Sequence, residues 1–172
     1  MLPLESGLAV LVPGAEALVG SFRSPSAAGG MPEHITLLYP FKPPDEIGDA
    51  AIEKLNQCFA GFRAFDFTLA TIRRFPGGVL YLAPEPDESF RRLTMAVWDC
   101  YPETPPYGGR YSNIMPHLTV AQLTDEQQAD QVVCEFTRAS QGRFAIHATA
   151  REIALMDPLA GIWQVRTTFA LS

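Results

Sequence analysis

The stretch MPEHITLLYPF, Met31–Phe41, has the Ile, Leu, Tyr and Phe content of a buried strand, yet a histidine opens it and a threonine follows two places on. A second stretch, MPHLTVAQL, Met115–Leu123, poses the same pattern. Residues i and i+2 of a strand point to one face, roughly 7 Å apart along it. His34 and Thr36 therefore project together, and so do His117 and Thr119. In HITL and HLTV the second and fourth positions are large and apolar, and a proline, Pro32 or Pro116, stands just upstream.

Working outward from the first stretch, SGLAVLVPG reads as a short apolar strand ended by Pro13-Gly14. AEALVGSFR, Ala15–Arg23, reads as a helix, and SPSAAGG, Ser24–Gly30, as a flexible loop. Downstream, DEIGDAAIEKLNQCFAGF places Ile47, Ala51, Leu55, Cys58, Phe59 and Phe62 at helical spacing. FDFTLATIRRF, Phe65–Phe75, alternates Phe65, Phe67 and Leu69 with polar residues, as a half-buried strand does. Pro76-Gly77-Gly78 predicts a turn into VLYLAP, its hairpin partner.

The order then restarts. GVLYLAP, Gly78–Pro84, resembles GLAVLVP, Gly7–Pro13. A helix follows over Asp87–Cys100, with Phe90, Leu93, Val97 and Trp98 on its apolar side. The Pro- and Gly-rich loop YPETPPYGGRYSN leads to the strand HLTVAQL, then to a helix over Asp125–Ala139. FAIHATAREIALM, Phe144–Met156, alternates as a strand, and a turn at Asp157–Gly161 opens the last strand, IWQVRTTFAL. The chain thus reads as strand-helix-strand-helix-strand twice, over about 7–75 and 78–156, plus a closing strand at about 162–171. Each histidine opens the middle strand of its unit. The fold class expected is α+β: one two-lobed domain spanning 1–172, with mostly antiparallel sheets around a central cleft and helices outside.

Composition bounds the function. Of 172 residues, 47% are hydrophobic and 19% charged, enough for a core in a soluble chain. The net charge of -6 argues against tracking along a nucleic-acid duplex, while a local pocket for one phosphate stays open. Cys58, Cys100 and Cys134 show no metal, redox or disulfide spacing, so they are expected as reduced, mostly buried thiols of a cytoplasmic protein. The N-terminal run MLPLESGLAVLVPG lacks a basic lead and is not read as a signal peptide. No run approaches the length of a membrane span.

Two related units commonly pack about a pseudo-twofold axis, which would bring two imidazoles and two hydroxyls face to face. Two histidines across a phosphate suit general base and general acid, each contributing roughly 10²–10⁴-fold. Histidine titrates near neutrality, so one ring can be neutral while the other is protonated. Threonine hydroxyls can donate to nonbridging phosphate oxygens as charge builds there. The bland alternative is a pair of structural strand histidines. All three histidines of the chain fit the tripeptide, the third being His147-Ala148-Thr149. HATA has neither the large apolar neighbours nor the upstream proline, so His147 is expected to be non-catalytic.

PEHITLLYPF and MPHLTVAQ resemble the two signature motifs of the 2H phosphoesterase superfamily, which includes the bacterial 2′-5′ RNA ligase-like proteins. The resemblance covers nearly the whole chain. It implies a duplicated two-lobed α+β fold and a metal-independent phosphodiesterase acting on 2′,3′-cyclic phosphate ends of RNA or small nucleotides, with reverse 2′-5′ ligation as a further capacity. It maps the catalytic histidines onto His34 and His117 and the substrate-binding threonines onto Thr36 and Thr119. No metal or cofactor is expected, nor a membrane or DNA-duplex partner, and the chain is expected to act as a monomer.

Other site residues are read from position. Tyr81 alternates with Leu80 and Leu82; with those leucines facing the helices it faces the cleft and is a candidate to stack on a base, a core aromatic being the even alternative. Trp163 is similar, with core packing favoured. Arg110 and Tyr111, just before the second motif, and Arg74 are candidates to reach phosphate or base. Gly108-Gly109 would let that loop move. Two other classes stay open. One is a non-catalytic nucleotide- or phosphate-binding module on the same fold. The other is a metal site of His34, His117 and a carboxylate, for which only Glu33 and Asp66 are near enough, with Glu33 turned away from His34 by strand alternation.

Overall fold

The computed structural model describes residues 5–22 and 30–172. Eight strands form two four-stranded sheets, antiparallel throughout. They are β1 (Gly7–Leu11), β2 (His34–Leu38), β3 (Phe65–Arg74), β4 (Val79–Glu85), β5 (Leu118–Gln122), β6 (Ile146–Ala150), β7 (Glu152–Leu159) and β8 (Ile162–Ala170). The helices are the short α1 (Glu16–Val19), then α2 (Asp49–Phe59), α3 (Glu88–Cys100) and α4 (Glu126–Ala139). One sheet runs β2-β1-β7-β8 and the other β5-β4-β3-β6.

The helices form where an apolar stripe can be buried. In α3, Phe90, Leu93, Thr94 and Val97 recur at helical spacing and all are buried. Thr94 Oγ1 donates to Leu37 O at 2.8 Å, fastening α3 to β2. In α2 the buried pair is Leu55 and Phe59, one turn apart. Asp125 caps α4 by accepting from Gln127 N–H at 2.8 Å. The core joins both sheets and all helices into one cluster. Phe90 is fully buried there, edge-on to Phe65 and Phe67 with ring centroids 5.0 Å away in each case. Truncating such a ring costs about 3–5 kcal/mol. Among the described residues, no helix is long and apolar enough to cross a membrane.

The third strand of each sequence unit pairs outside that unit. β3 pairs with β4 and β6, and β7 pairs with β1. The two units are thereby interleaved through their hydrogen-bond ladders. The histidine strands, β2 and β5, are middle strands in chain order but edge strands in their sheets. They also lie against each other, edge to edge across the molecule.

Several local expectations change. Ala15–Arg23 is not one helix: Pro13–Ala15 and Gly20–Phe22 are 3₁₀ turns around the single turn of α1. A proline and two glycines, Pro13, Gly14 and Gly20, leave no room for a longer helix. Arg23 and most of the Ser24–Gly30 loop lie outside the described residues. Phe144–Met156 is not one strand. β6 joins β3 and β7 joins β1, so the chain changes sheets at Arg151. The expected Asp157–Gly161 turn contracts to Ala160-Gly161, because Leu159 already pairs with Ile162. Both turn residues have positive φ, 51° and 84°, as a two-residue hairpin loop requires.

The expectation of reduced thiols fails for Cys58 and Cys100 and holds for Cys134, which differs only in its exposure. Cys58 of α2 and Cys100 of α3 form a disulfide, with Cα atoms 6.9 Å apart. The packing of α2 against α3 brings together residues 42 positions apart, a pairing no local spacing can reveal. Cys134 is free but exposed on α4 rather than buried. The inference from reduced thiols to a cytoplasmic protein therefore loses its footing.

Candidate active site

Alternation along β2 buries Ile35 and Leu37 and leaves His34 and Thr36 partly exposed on the other face. β5 does the same, burying Leu118 and Val120 and leaving Thr119 partly exposed, with His117 just before it. His34 Nδ1 lies 2.8 Å from Pro32 O, and His117 Nδ1 lies 2.7 Å from Met115 O. A carbonyl oxygen only accepts, so Nδ1 carries a proton and donates in both rings. Nε2 is then the nitrogen that gains or loses the exchangeable proton. Each ring is anchored by the carbonyl two residues upstream, so the two segments share one local device.

Their surroundings differ. A cavity of about 390 Å³ is lined by both β2 and β5, with His34, Thr36, Thr119, Tyr39, Tyr107 and Trp163 among its walls. Gly7 and Ala9 of β1 also line it. Tyr39 and Trp163 meet edge to face with centroids 6.1 Å apart. The volume is in the range of small-ligand sites. His117 is not on the cavity wall. It is packed by Phe75 at 5.0 Å, Tyr81 at 5.6 Å and Tyr107 at 6.4 Å between ring centroids. This burial pushes the His117 imidazole below its ordinary 6.5, and the hydrogen bond to Met115 opposes the shift.

The sequence profile of the 2′-5′ RNA ligase superfamily matches residues 11–161. The chain belongs to this superfamily. The resemblance carried by the two histidine motifs is therefore borne out at the level of family. Its fold is similar to that of TT0787 of Thermus thermophilus, at 20% identity, with a TM-score of 0.65 and 97% of each chain covered. It is also similar to E. coli LigT complexed with 3′-AMP, at 14% identity and a TM-score of 0.62, with 99% of each chain covered. LigT complexed with phosphate gives 15% identity and a TM-score of 0.57, covering all of this chain and 99% of the other. These likenesses show that the chain shares its fold with those proteins. No curated protein matches the chain by sequence.

Within this superfamily fold the remaining candidates separate. Tyr81 is 4% exposed and stacks on Phe75 at 4.0 Å, so its ring backs His117 instead of offering a face to the cavity. Alternation gave its face correctly, but Phe75 at the β3–β4 turn covers it. Gly78 makes that turn: its φ is +91°, and a Cβ there would lie 1.7 Å from Leu123 O, so only glycine fits against the end of β5. Trp163 lines the cavity. Arg110 is exposed and off the cavity wall, and Tyr111 is 62% exposed, edge-on to Tyr107. Arg74 pairs with Asp130 of α4 at 2.5 Å. His147 is exposed on β6, at the opposite edge of its sheet from β5, with Thr68 Oγ1 3.1 Å from its Nδ1. Among the described residues no three His, Cys, Asp or Glu side chains come together as a metal site would require.

Two residues at the site escaped the sequence. Arg91 of α3 donates to Ile114 O and pairs with Asp87 at 2.8 Å, holding the segment whose Met115 carbonyl anchors His117. Its only signal was the Asp87/Arg91 spacing of four on a helix. Tyr107, within the Pro- and Gly-rich loop, lies within 23° of parallel to His117, with ring centroids 6.4 Å apart, and lines the cavity together with Thr36. Burial pushes its phenol up to about 12, so it is neutral throughout the physiological range. Nothing in the local sequence distinguishes it from Tyr111.

Proposed function

We propose that the protein is a phosphodiesterase that opens 2′,3′-cyclic phosphates at RNA ends or on small nucleotides, using His34 and His117 as acid and base. The matched Nδ1 anchoring of the two histidines carries this reading. It turns the same ring nitrogen of each toward proton transfer, as a pair of exchangeable catalysts needs.

In the proposed reaction, neutral His117 takes a proton from water through Nε2, consistent with burial favouring its uncharged form. The water oxygen attacks phosphorus in line. The bond from phosphorus to the 3′ oxygen breaks, and protonated His34 gives that oxygen its Nε2 proton. The product is a 2′-phosphate, the outcome implied by the family. Thr36 and Thr119 donate to the nonbridging oxygens. Running the steps backward with a 5′-hydroxyl in place of water forms a 2′-5′ bond. No step calls for a metal ion. We assign the base or ribose of the substrate to the cavity, beside Tyr39 and Trp163 and over the small residues Gly7 and Ala9. The nucleotide complexes of LigT support this class of ligand.

The test is incubation with 2′,3′-cyclic AMP followed by phosphorus NMR. A 2′-monophosphate product supports the proposal. Binding of the cyclic nucleotide without turnover supports the binding-module alternative instead.

A further inference from the structure

We infer that Arg73 receives the phosphate of an acceptor strand, the strand whose 5′-hydroxyl attacks the cyclic phosphate, so that the site joins RNA ends as well as opening them. This rests on the reaction proposed above, with His117 as the base. A row of residues across three strands carries it. Thr119 of β5 stands opposite Tyr81 of β4, and Tyr81 stands opposite Arg73 of β3. Residues directly opposite in a sheet share a face. Arg73 therefore projects on the side that carries Thr119 of the cavity wall and the Tyr81 ring behind His117. Each cross-strand step is about 4.5–5.5 Å between Cα atoms, which starts Arg73 roughly 10 Å from Thr119.

Arg74, one place on, turns to the other face and pairs with Asp130 of α4. Arg73 is exposed and makes no hydrogen bond or ion pair within the described residues. Two places on from it, Phe75 stacks on Tyr81 with centroids 4.0 Å apart and meets His117 edge-on at 5.0 Å. Tyr81 is buried, whereas Phe75 is only partly so. An imidazole, a partly open aromatic ring and an unpaired guanidinium along one face match how single-stranded RNA is held, phosphate on cation and base on ring. One guanidinium serves one phosphate, in keeping with the net charge of -6, which disfavours a long basic track.

In-line attack decides which strand Arg73 serves. The entering and leaving oxygens lie on opposite sides of phosphorus. The leaving ribose is assigned to the cavity and to His34, and Arg73 is not on that cavity's wall. The His117 side therefore belongs to the entering group. When that group is a 5′-hydroxyl, its proton passes to His117 Nε2 and the bond from phosphorus to O5′ forms. The bond from phosphorus to O3′ breaks, and O3′ takes the Nε2 proton of His34. The product is a 2′-5′ diester. Water carries nothing for Arg73 to hold, whereas a nucleoside with a 3′-phosphate does.

The probes are 2′,3′-cyclic AMP with an excess of either adenosine 3′-phosphate or adenosine as acceptor. Phosphorus NMR and chromatography give the ratio of 2′-5′ dinucleotide to 2′-monophosphate. In the wild type that ratio should be roughly tenfold higher with adenosine 3′-phosphate, the effect of one charge-assisted contact. Arg73→Ala should bring it down to the adenosine value, and Arg73→Lys should keep part of it. Arg74→Ala should leave it in place. Equal ratios for the two acceptors in the wild type overturn the inference, and so does a ratio that Arg73→Ala does not change. Hydrolysis with no joined product from either acceptor overturns it too, while the phosphodiesterase reading stands. If the cyclic phosphate is neither opened nor joined, that reading fails and the inference with it.

Discussion

The strands β2 and β5 begin with the same device and end in different environments. Each histidine donates from Nδ1 to the carbonyl two residues back. His34 then stands on the wall of an open cavity, whereas His117 sits among Phe75, Tyr81 and Tyr107. Identical anchors fix the tautomer alike, and the aromatic packing around His117 favours its neutral form. A symmetric pair would leave the roles of acid and base undecided. Here desolvation favours neutral His117, in keeping with the role of base proposed for it above.

Removing either member should break the comparison with the largest effect. His34→Ala and His117→Ala should each lower kcat by about 10²–10⁴-fold in cyclic nucleotide hydrolysis, with circular dichroism unchanged. His147→Ala, at the edge opposite β5 in the sheet the two strands share, should keep nearly full activity.

Titration sharpens the same contrast. Because the folded value of His117 lies below its ordinary 6.5, the acid limb of kcat/KM should fall below pH 6.5. The sign for stability follows. The unfolded chain binds this proton more readily, so the contribution is present above about 6.5 and is lost as pH falls through the lowered folded value. Chemical denaturation across pH 5–8 should show this loss in the wild type, and His117→Gln should flatten it.

The threonines come next. Thr36→Val and Thr119→Val should each cost about 1–3 kcal/mol in transition-state binding and leave the pH limits nearly in place. The smallest expected effect is on the support of His117. Arg91→Ala removes the donor to Ile114 O and should lower kcat by about 1 kcal/mol equivalent, with His34-side ligand contacts intact. Steady-state kinetics with the cyclic nucleotide reads both.

Features with short sequence periods were legible. The alternation of HITL and HLTV gave β2 and β5, the face of each histidine and the threonine beside it. Helical spacing gave α2, α3 and α4 to within a few residues. Pairings fixed by long-range packing were not legible. The alternation of His147, Thr149 and Arg151 breaks at Glu152, but nothing local says that the chain passes there from one sheet to the other. Cys58 and Cys100 meet only because α2 packs on α3. Tyr81 was placed on the correct face, but the ring of Phe75 that covers it comes from across the hairpin turn. Tyr107 sits in a loop whose composition announces only a loop, and its place near His117 and on the cavity wall appears only in the fold.

The central claim is that two histidines in unequal settings divide one proton-transfer task. Its most direct test is the pH–rate profile of 2′,3′-cyclic AMP hydrolysis, with and without EDTA, in the wild type and in the two histidine-to-alanine variants. The account predicts a bell-shaped profile that EDTA does not change, with both variants nearly inactive at every pH. Activity lost to EDTA and restored by a divalent ion, or a substantial rate with either histidine missing, would contradict it.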